Sequence, residues 1–283
     1  KAKNEYEKLE EWEDCIRMCY KTNDHKKAGW IYEEKLKDFD KAKEEYIKID
    51  DWESYSRVCE KNEEYEEAGK IYEEKLNNKE KALELYNKAK NEYEKLEEWE
   101  DCIRMCYKTN DHKKAGWIYE EKLKDFDKAK EEYIKIDDWE SYSRVCEKNE
   151  EYEEAGKIYE EKLNNKEKAL ELYNKAKNEY EKLEEWEDCI RMCYKTNDHK
   201  KAGWIYEEKL KDFDKAKEYY LKANKFIKFF KLCIKTKDYF NLGKIYEYFK
   251  IYPKAKEFYK KAGALKDLAR VYEKIKEKNK KYE

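Results

Sequence analysis

The chain has 283 residues, of which 48% are charged and 40% hydrophobic, and its formal net charge is −3. One proline and seven glycines leave little material for strands and turns, whereas 28 tyrosines, 8 tryptophans and 9 phenylalanines exclude the composition of a disordered chain. No apolar run approaches the roughly 20 residues of a membrane-spanning helix, and the chain opens on no signal-peptide pattern. We therefore expect a cytoplasmic protein.

The chain is built from copies of one segment. Residues 1–87 return unchanged as 88–174, residues 175–218 begin a third copy, and residues 219–283 diverge from it. We predict repeat unit 1 over 1–87, unit 2 over 88–174, a partial unit 3 over 175–218 and divergent capping repeats over 219–283, all in one continuous domain. Because the chain begins without Met and in mid-pattern, we also expect a fragment of a longer array.

Each unit contains two related halves, which begin near Trp12 and Trp52. The first half predicts three short helices, over 11–22, 26–37 and 41–50, because its apolar residues recur at helical spacing between polar turns. The second half is seven residues longer and adds about two turns to its third helix. Because neighbouring helices are antiparallel, three helices leave the next half pointing the opposite way, and only six restore the original orientation. The sequence therefore predicts an all-α, right-handed α-solenoid of helical hairpins with about six helices in each 87-residue repeat.

One hairpin carries the pattern Ala68-Gly69, Tyr72, Ala82, Tyr86 and Ala89, and the divergent segment repeats it as Leu242-Gly243, Tyr246, Ala255, Tyr259 and Ala262. These residues resemble the tetratricopeptide (TPR) repeat. The first hairpin has a turn one residue longer than the family's and an extended second helix, and is similar to the irregular hairpins of SNAP vesicle-fusion adaptors and of coat and intraflagellar-transport solenoids. The resemblance implies stacked α-hairpins and, through them, binding of another protein.

Nine cysteines recur with the repeat, which favours a reducing compartment over a disulfide framework. Cys15, Cys19 and His25 would supply three ligands for zinc. The second half has Tyr55 and Tyr65 in place of the first and last of these, so the ligand set is not maintained. We therefore expect buried core cysteines, no metal and no cofactor, with His25 as an aromatic packing residue.

The sequence contains no phosphate-binding loop, metalloprotease motif or nucleophile elbow. Pairs such as Glu33-Glu34 are expected on a solvated helix face among lysines. We therefore predict no catalytic residues and a protein that is not an enzyme.

Two neighbouring positions in the second helix are unusual. Gly29 and its equivalents lie inside helices, where glycine costs about 1 kcal/mol, which indicates close approach of another helix. Trp30 recurs as Trp117 and Trp204, but the other half of the unit has lysine at this place. The three tryptophans are the candidate partner-binding residues. They are either buried, which is the preferred interpretation, or exposed for contact, and we expect them in one row at intervals of roughly 25–30 Å.

Charge divides the chain where copying stops. Residues 1–218 carry a formal charge of −15, whereas residues 219–283 carry 19 basic and 7 acidic side chains. The last stretch, 265–283, has apolar residues at Leu265, Leu268, Tyr272 and Ile275 and then almost only charge, which is typical of a terminal cap that ends a core. We expect an acidic protein or peptide as partner, and neither nucleic acid nor a membrane.

The predicted function is a non-enzymatic helical-repeat scaffold for protein-protein interaction. The alternatives are a sensor or regulatory array of a larger signalling NTPase or conflict-system protein, and a SNAP-like membrane-fusion adaptor.

Overall fold

The computed structural model describes residues 11–280, with side chains described from Glu11 to Glu277. Within these residues the chain forms nineteen α-helices and no strand, and within each of its compact units successive helices pack together in tandem. This confirms the predicted all-α architecture of the α-solenoid repeat type. The first ten residues of the predicted unit 1 and the last three of the capping segment lie outside the described part.

The chain divides into two compact units, the first of which spans residues 1–145. Its helix α6 has 18 residues where the equivalent α3 has nine, which confirms the predicted extension. Single π-helical turns, Tyr32–Leu36 and Tyr119–Leu123, prolong α2 and α8. The helices are α1 (Trp12–Lys21), α2 (His25–Ile31), α3 (Phe39–Ile47), α4 (Trp52–Lys61), α5 (Tyr65–Glu74), α6 (Lys79–Leu96), α7 (Trp99–Lys108), α8 (His112–Ile118), α9 (Phe126–Lys135) and α10 (Trp139–Lys148), whose last three residues pass into the second unit.

The second unit spans residues 146–283. It contains the rest of the second copy, the partial third copy and the divergent segment. Its helices are α11 (Tyr152–Glu161), α12 (Lys166–Lys182), α13 (Trp186–Lys195), α14 (His199–Glu208), α15 (Phe213–Lys222), α16 (Phe226–Lys235), α17 (Tyr239–Tyr248), α18 (Tyr252–Lys261) and α19 (Leu265–Lys280).

The turns between helices are short because a single residue bonds to the end of one helix and caps the start of the next. Asn23 takes the left-handed conformation with φ 54°, which ends α1. The Asp24 amide donates to the carbonyl of Cys19 at 2.9 Å, and the Asp24 carboxylate accepts from the Lys27 amide at 3.0 Å as the cap of α2. The Asn-Asp pairs of the sequence therefore close one helix and open the next within three residues.

Each interior glycine lies under a tyrosine ring of the following helix. A Cβ atom on Gly29 of α2 would lie 2.9 Å from Cε1 of Tyr46 on α3, and one on Gly243 would lie 2.6 Å from Cδ1 of Tyr259. Real Cβ atoms do not approach other atoms this closely. The predicted close approach is confirmed, and the group that approaches is the tyrosine ring.

Only some apolar residues of the last helix end the core. Leu265 is 76% exposed and Tyr272 48% exposed, whereas Val271 is fully buried. Leu268 and Ile275 do pack on the cluster around Val271. The buried face therefore runs through positions 268, 271 and 275, which are three and four residues apart, as one face of an α-helix requires.

Candidate protein-interaction site

Trp30 lies in α2, one residue after the glycine that receives the Tyr46 ring. It is partly exposed and packs against the buried cluster around Cys15, with Trp12 beside it. The ammonium of Lys35 lies 5.1 Å from the Trp12 ring centroid and 5.5 Å from that of Trp30, and Lys27 covers the Trp30 ring at 4.4 Å. Lys35 therefore lies between two tryptophan rings, within the range of cation–π attraction. We call this arrangement the Trp-Lys cluster.

The Trp-Lys cluster occurs three times. Its rings and bridging lysines are Trp12, Lys35 and Trp30; Trp99, Lys122 and Trp117; and Trp186, Lys209 and Trp204. The other half of the unit has one ring only, that of Trp52, with Lys75 at 5.1 Å. There the place of Trp30 is taken by Lys70. All three candidate tryptophans are partly exposed, which lies between the buried and the exposed interpretations of the sequence. Each packs on the core, while lysines cover its ring.

A buried carboxylate at the end of α2 joins this helix to α3 and α4. Glu33, in the π-helical turn after α2, is fully buried. Its carboxylate accepts from Tyr46 of α3 at 2.9 Å, from the Arg57 guanidinium of α4 at 3.0 and 2.8 Å, and from Lys61 at 2.7 Å. The ion pair is bidentate and accompanied by a hydroxyl donor, which is the arrangement that makes burial of a charge tolerable. We call this arrangement the glutamate tie.

The donors keep the Glu33 carboxylate ionised. Burial alone would raise the pKa of this carboxyl group, but hydrogen bonds from Arg57, Lys61 and Tyr46 outweigh burial and hold the pKa at about 2. Glu66 and Glu247 are held at about 2 by the same kinds of donors. These carboxylates are committed to neighbouring helices, which does not suit a general acid or base.

Glutamate ties recur in both units with different donors. Each has a tyrosine hydroxyl and a basic side chain from a later helix on the same glutamate. The sets are Glu120 with Tyr133 and Arg144; Glu66 with Tyr93 and Arg104; Glu73 with Tyr86 and Lys108; Glu153 with Tyr180 and Arg191; Glu160 with Tyr173 and Lys195; and Glu247 with Tyr259 and Arg270.

The expectation that Glu33 and Glu34 share a solvated face is wrong for Glu33. Helical periodicity placed it among lysines, but its donors come from 13 and 24 residues away. A signal for it does exist in the sequence. A glutamate stands four residues after the interior glycines at 29, 69, 203 and even at 243, where most surface residues have changed.

His25 is also more than the packing residue that we predicted. Its Nδ1 lies 2.7 Å from a carboxylate oxygen of Glu45, and its Nε2 lies 3.0 Å from the side-chain oxygen of Asn23. His112 repeats the arrangement with Glu132 and Asn110. In the third copy Tyr219 replaces the glutamate, and the buried Nδ1 of His199 has no hydrogen-bond partner. The histidine is therefore hydrogen-bonded to the following helix in the first two copies, whereas in the third its ring packs against Tyr219 at a centroid distance of 5.9 Å.

All nine cysteines are buried, as predicted. Burial raises the pKa of the Cys59 and Cys233 thiols to about 12, so both remain protonated at neutral pH. Within the described residues, no group of three or more His, Cys, Asp and Glu side chains is arranged to hold a metal ion. The thiols lie in the core, and the described part of the chain does not assemble Cys15, Cys19 and His25 into a metal site.

Comparison with known proteins supports the TPR-like character of the repeat. The tetratricopeptide-repeat family profile matches residues 201–228. No curated protein sequence matches the chain. Among solved structures the chain is similar, at 12% identity, to a circular tandem repeat protein with novel repeat topology and enhanced subunit contact surfaces, over 93% of this chain and 68% of that one, with a TM-score of 0.13. That score is too low to relate the two folds. No helix in the described residues has the length and apolar character needed to cross a membrane.

Proposed function

We propose that the chain is a non-enzymatic helical-repeat scaffold that binds another protein or peptide. The observation that carries the proposal is the Trp-Lys cluster, present once in each copy at a place where the other half of the unit has a plain lysine. Tryptophan is the side chain most enriched at interaction hot spots, and the lysines around it favour an acidic partner. Trp30, Trp117 and Trp204 are its proposed contact residues.

The charge division of the chain also supports an acidic partner. In the glutamate ties, carboxylates of the copies are neutralised by lysines and arginines of neighbouring helices. In the divergent segment basic residues exceed acidic ones by 19 to 7. We therefore propose that binding there is electrostatic in part and weakens as salt is added. The proposed cytoplasmic location rests on the nine buried thiols, which suit a reducing compartment.

Two narrower functions remain as proposals. The unchanged duplication of residues 1–87 supports a sensor or regulatory array, in which copy number sets length or affinity. The 18-residue α6 supports an adaptor of the SNAP type, whose hairpins are similarly irregular. We propose the same binding surface for both.

Replacing all three candidate tryptophans by lysine tests the scaffold function. Lysine occupies the equivalent positions 70, 157 and 244, so the variant Trp30→Lys, Trp117→Lys and Trp204→Lys keeps a residue that the fold already accommodates. We expect at least tenfold less partner in affinity capture quantified by mass spectrometry, because the aromatic contacts are lost. The matched control replaces Lys70 and Lys157 by alanine, which leaves the three tryptophans in place. Undiminished capture by the lysine variant, with circular dichroism unchanged, would show that these residues are not part of the binding site.

A further inference from the structure

An apolar groove lies in the second unit, between α16 and α17 of the divergent segment. Its volume is about 910 Å³. Large side chains in its wall are open to water: Phe226 is 62% exposed, Ile227 74%, Tyr248 81% and Phe249 64%. Contiguous exposed apolar surface of this kind marks interaction sites, whereas single exposed apolar residues do not.

The groove is not inherited from the repeat. Aligning Cys233 with Cys59 places Ile227 on Glu53, Tyr248 on Glu74 and Phe249 on Lys75. In the first copy Lys75 covers the ring of Trp52, which occupies the place of Phe226. Core residues at the same helices are kept, since Cys233 and Gly243 remain buried. At these three places charged residues of the copies have become apolar, and all three apolar residues line the groove.

The chain segment that forms most of the groove is basic, and its charge is not neutralised. Residues 225–256 contain nine lysines and two acidic residues. Both acidic residues are occupied, Asp238 by Lys217 at 2.6 Å and Glu247 by Arg270 at 2.8 Å. Lys244 lines the groove itself, with its ammonium 4.3 Å from the ring centroid of Phe240. Within the described residues no ion pair involves the lysines at 225, 231, 237, 244 and 250.

We propose that this groove binds an amphipathic helix whose apolar face is flanked by Asp and Glu residues. An apolar trough between two helices accepts bulky side chains spaced one turn apart on a third helix. Lys244 in its wall, together with the unpaired lysines at 225 and 250 that adjoin wall residues in the chain, selects acidic flanks and opposes basic ones. The recessed shape favours an inserted helix over a flat bilayer surface. This inference rests on the scaffold function proposed above and identifies the partner's chemistry at one site of the chain.

The probe is a synthetic 18-residue peptide with Leu along one helical face and Glu and Ala elsewhere, labelled for fluorescence anisotropy against the full chain. We expect saturable binding that weakens at least tenfold in the double variant Ile227→Glu, Phe249→Lys. These substitutions restore the residues of the copies at positions 53 and 75. Leu170→Glu, at an exposed leucine of α12 outside the groove, should leave binding unchanged. Phe226→Trp also restores the copy's residue but keeps the wall apolar, so it should retain binding. It keeps the test informative if the double variant does not fold.

Two further peptides define the specificity. A peptide with Lys in place of Glu should bind at least tenfold more weakly, as should one with the leucines spread around the helix. Equal binding of all three peptides, or full binding by the double variant, would overturn the proposal. So would recruitment by phosphatidylserine-containing vesicles without peptide binding, or self-association lost in the double variant, because these assign the groove to a membrane or to a second copy.

The same double variant separates this inference from the scaffold function. If the native chain captures a partner and the double variant captures it equally, the groove assignment is wrong and the scaffold function stands. If the native chain captures no partner but binds the acidic peptide through the groove, the groove assignment stands and the scaffold function fails.

Discussion

Glu33→Ala should destabilise the first unit by about 3 kcal/mol, the lower end for removing one partner of a buried ion pair, because the Arg57 and Lys61 left behind are partly exposed to water. The substitution leaves the Arg57 guanidinium and the Tyr46 hydroxyl without their acceptor, and opens space in a fully buried site. Urea denaturation followed by circular dichroism would measure the loss, and hydrogen exchange should show it first in α2, α3 and α4.

Glu207 is the matched control. It accepts the Tyr220 hydroxyl at 2.6 Å, as Glu33 accepts that of Tyr46, but it is partly exposed and has Lys231 in the place of Arg57. We expect Glu207→Ala to cost about 1 kcal/mol, the value of one ordinary hydrogen bond. An equal cost for the two substitutions would show that the buried ion pair does not set the stability of the tie.

The glutamate tie also gives the direction of the pH dependence. The pKa of Glu33 falls from 4.5 to about 2 on folding, so its stabilisation is present above pH 4.5 and is lost as the pH falls towards 2. A shift of this size corresponds to about 3 kcal/mol. The free energy of unfolding should therefore fall between pH 4.5 and 2, and fall less steeply in Glu33→Ala. Parallel curves for the two proteins would contradict the assignment.

Gly29→Ala should destabilise the chain by about 1–3 kcal/mol, although alanine is the better helix former. The new Cβ atom would lie 2.9 Å from the Tyr46 ring, and that ring is fixed by its hydrogen bond to Glu33. Thermal unfolding of the variant provides the measurement.

Gly29→Ala in a Tyr46→Leu background tests the cause. With the ring absent, we expect the same substitution to be neutral or slightly stabilising, because only helix propensity remains. A cost that persists without the ring would place the conflict elsewhere.

Local patterns were sufficient for most of the fold. Trp12, Cys15, Ile16 and Cys19 recur at helical spacing and Asn23-Asp24 is a strong turn signal, so the first helix and its end could be predicted from the sequence. Interior glycine predicted a close approach. These features depend on neighbours within a few residues, which sequence reasoning treats well.

Features that depend on distant residues were not predictable in this way. Burial of Glu33 requires donors from two later helices. The π-helical turn is a sharper case, since the segment Tyr32–Leu36 recurs unchanged at 206–210 but ends there as ordinary α-helix and a bend. The residues that surround the two places differ from Tyr219 onward, and the basic residue 24 positions after the glutamate is Arg57 in one and Lys231 in the other. The backbone conformation of this segment therefore depends on residues of other helices. A short window of the sequence does not contain those residues.

The surface of α16 was not predictable for a similar reason. Phe226, Phe229 and Phe230 have helical spacing and would ordinarily be assigned to the core, yet only Phe229 is buried. Periodicity shows which residues share a face, but it does not show whether another helix covers that face.

Hydrogen exchange of the full chain with and without its captured partner tests the central claim most directly. That claim is that glutamate ties hold helices together, while contact occurs at the Trp-Lys clusters and the groove of the divergent segment. We predict slowed exchange on binding in residues 221–251 and in the helices that carry Trp30, Trp117 and Trp204, with little change in α3, α9 and α12. Protection centred on α3, α9 and α12, with none in residues 221–251 or at the tryptophans, would contradict it.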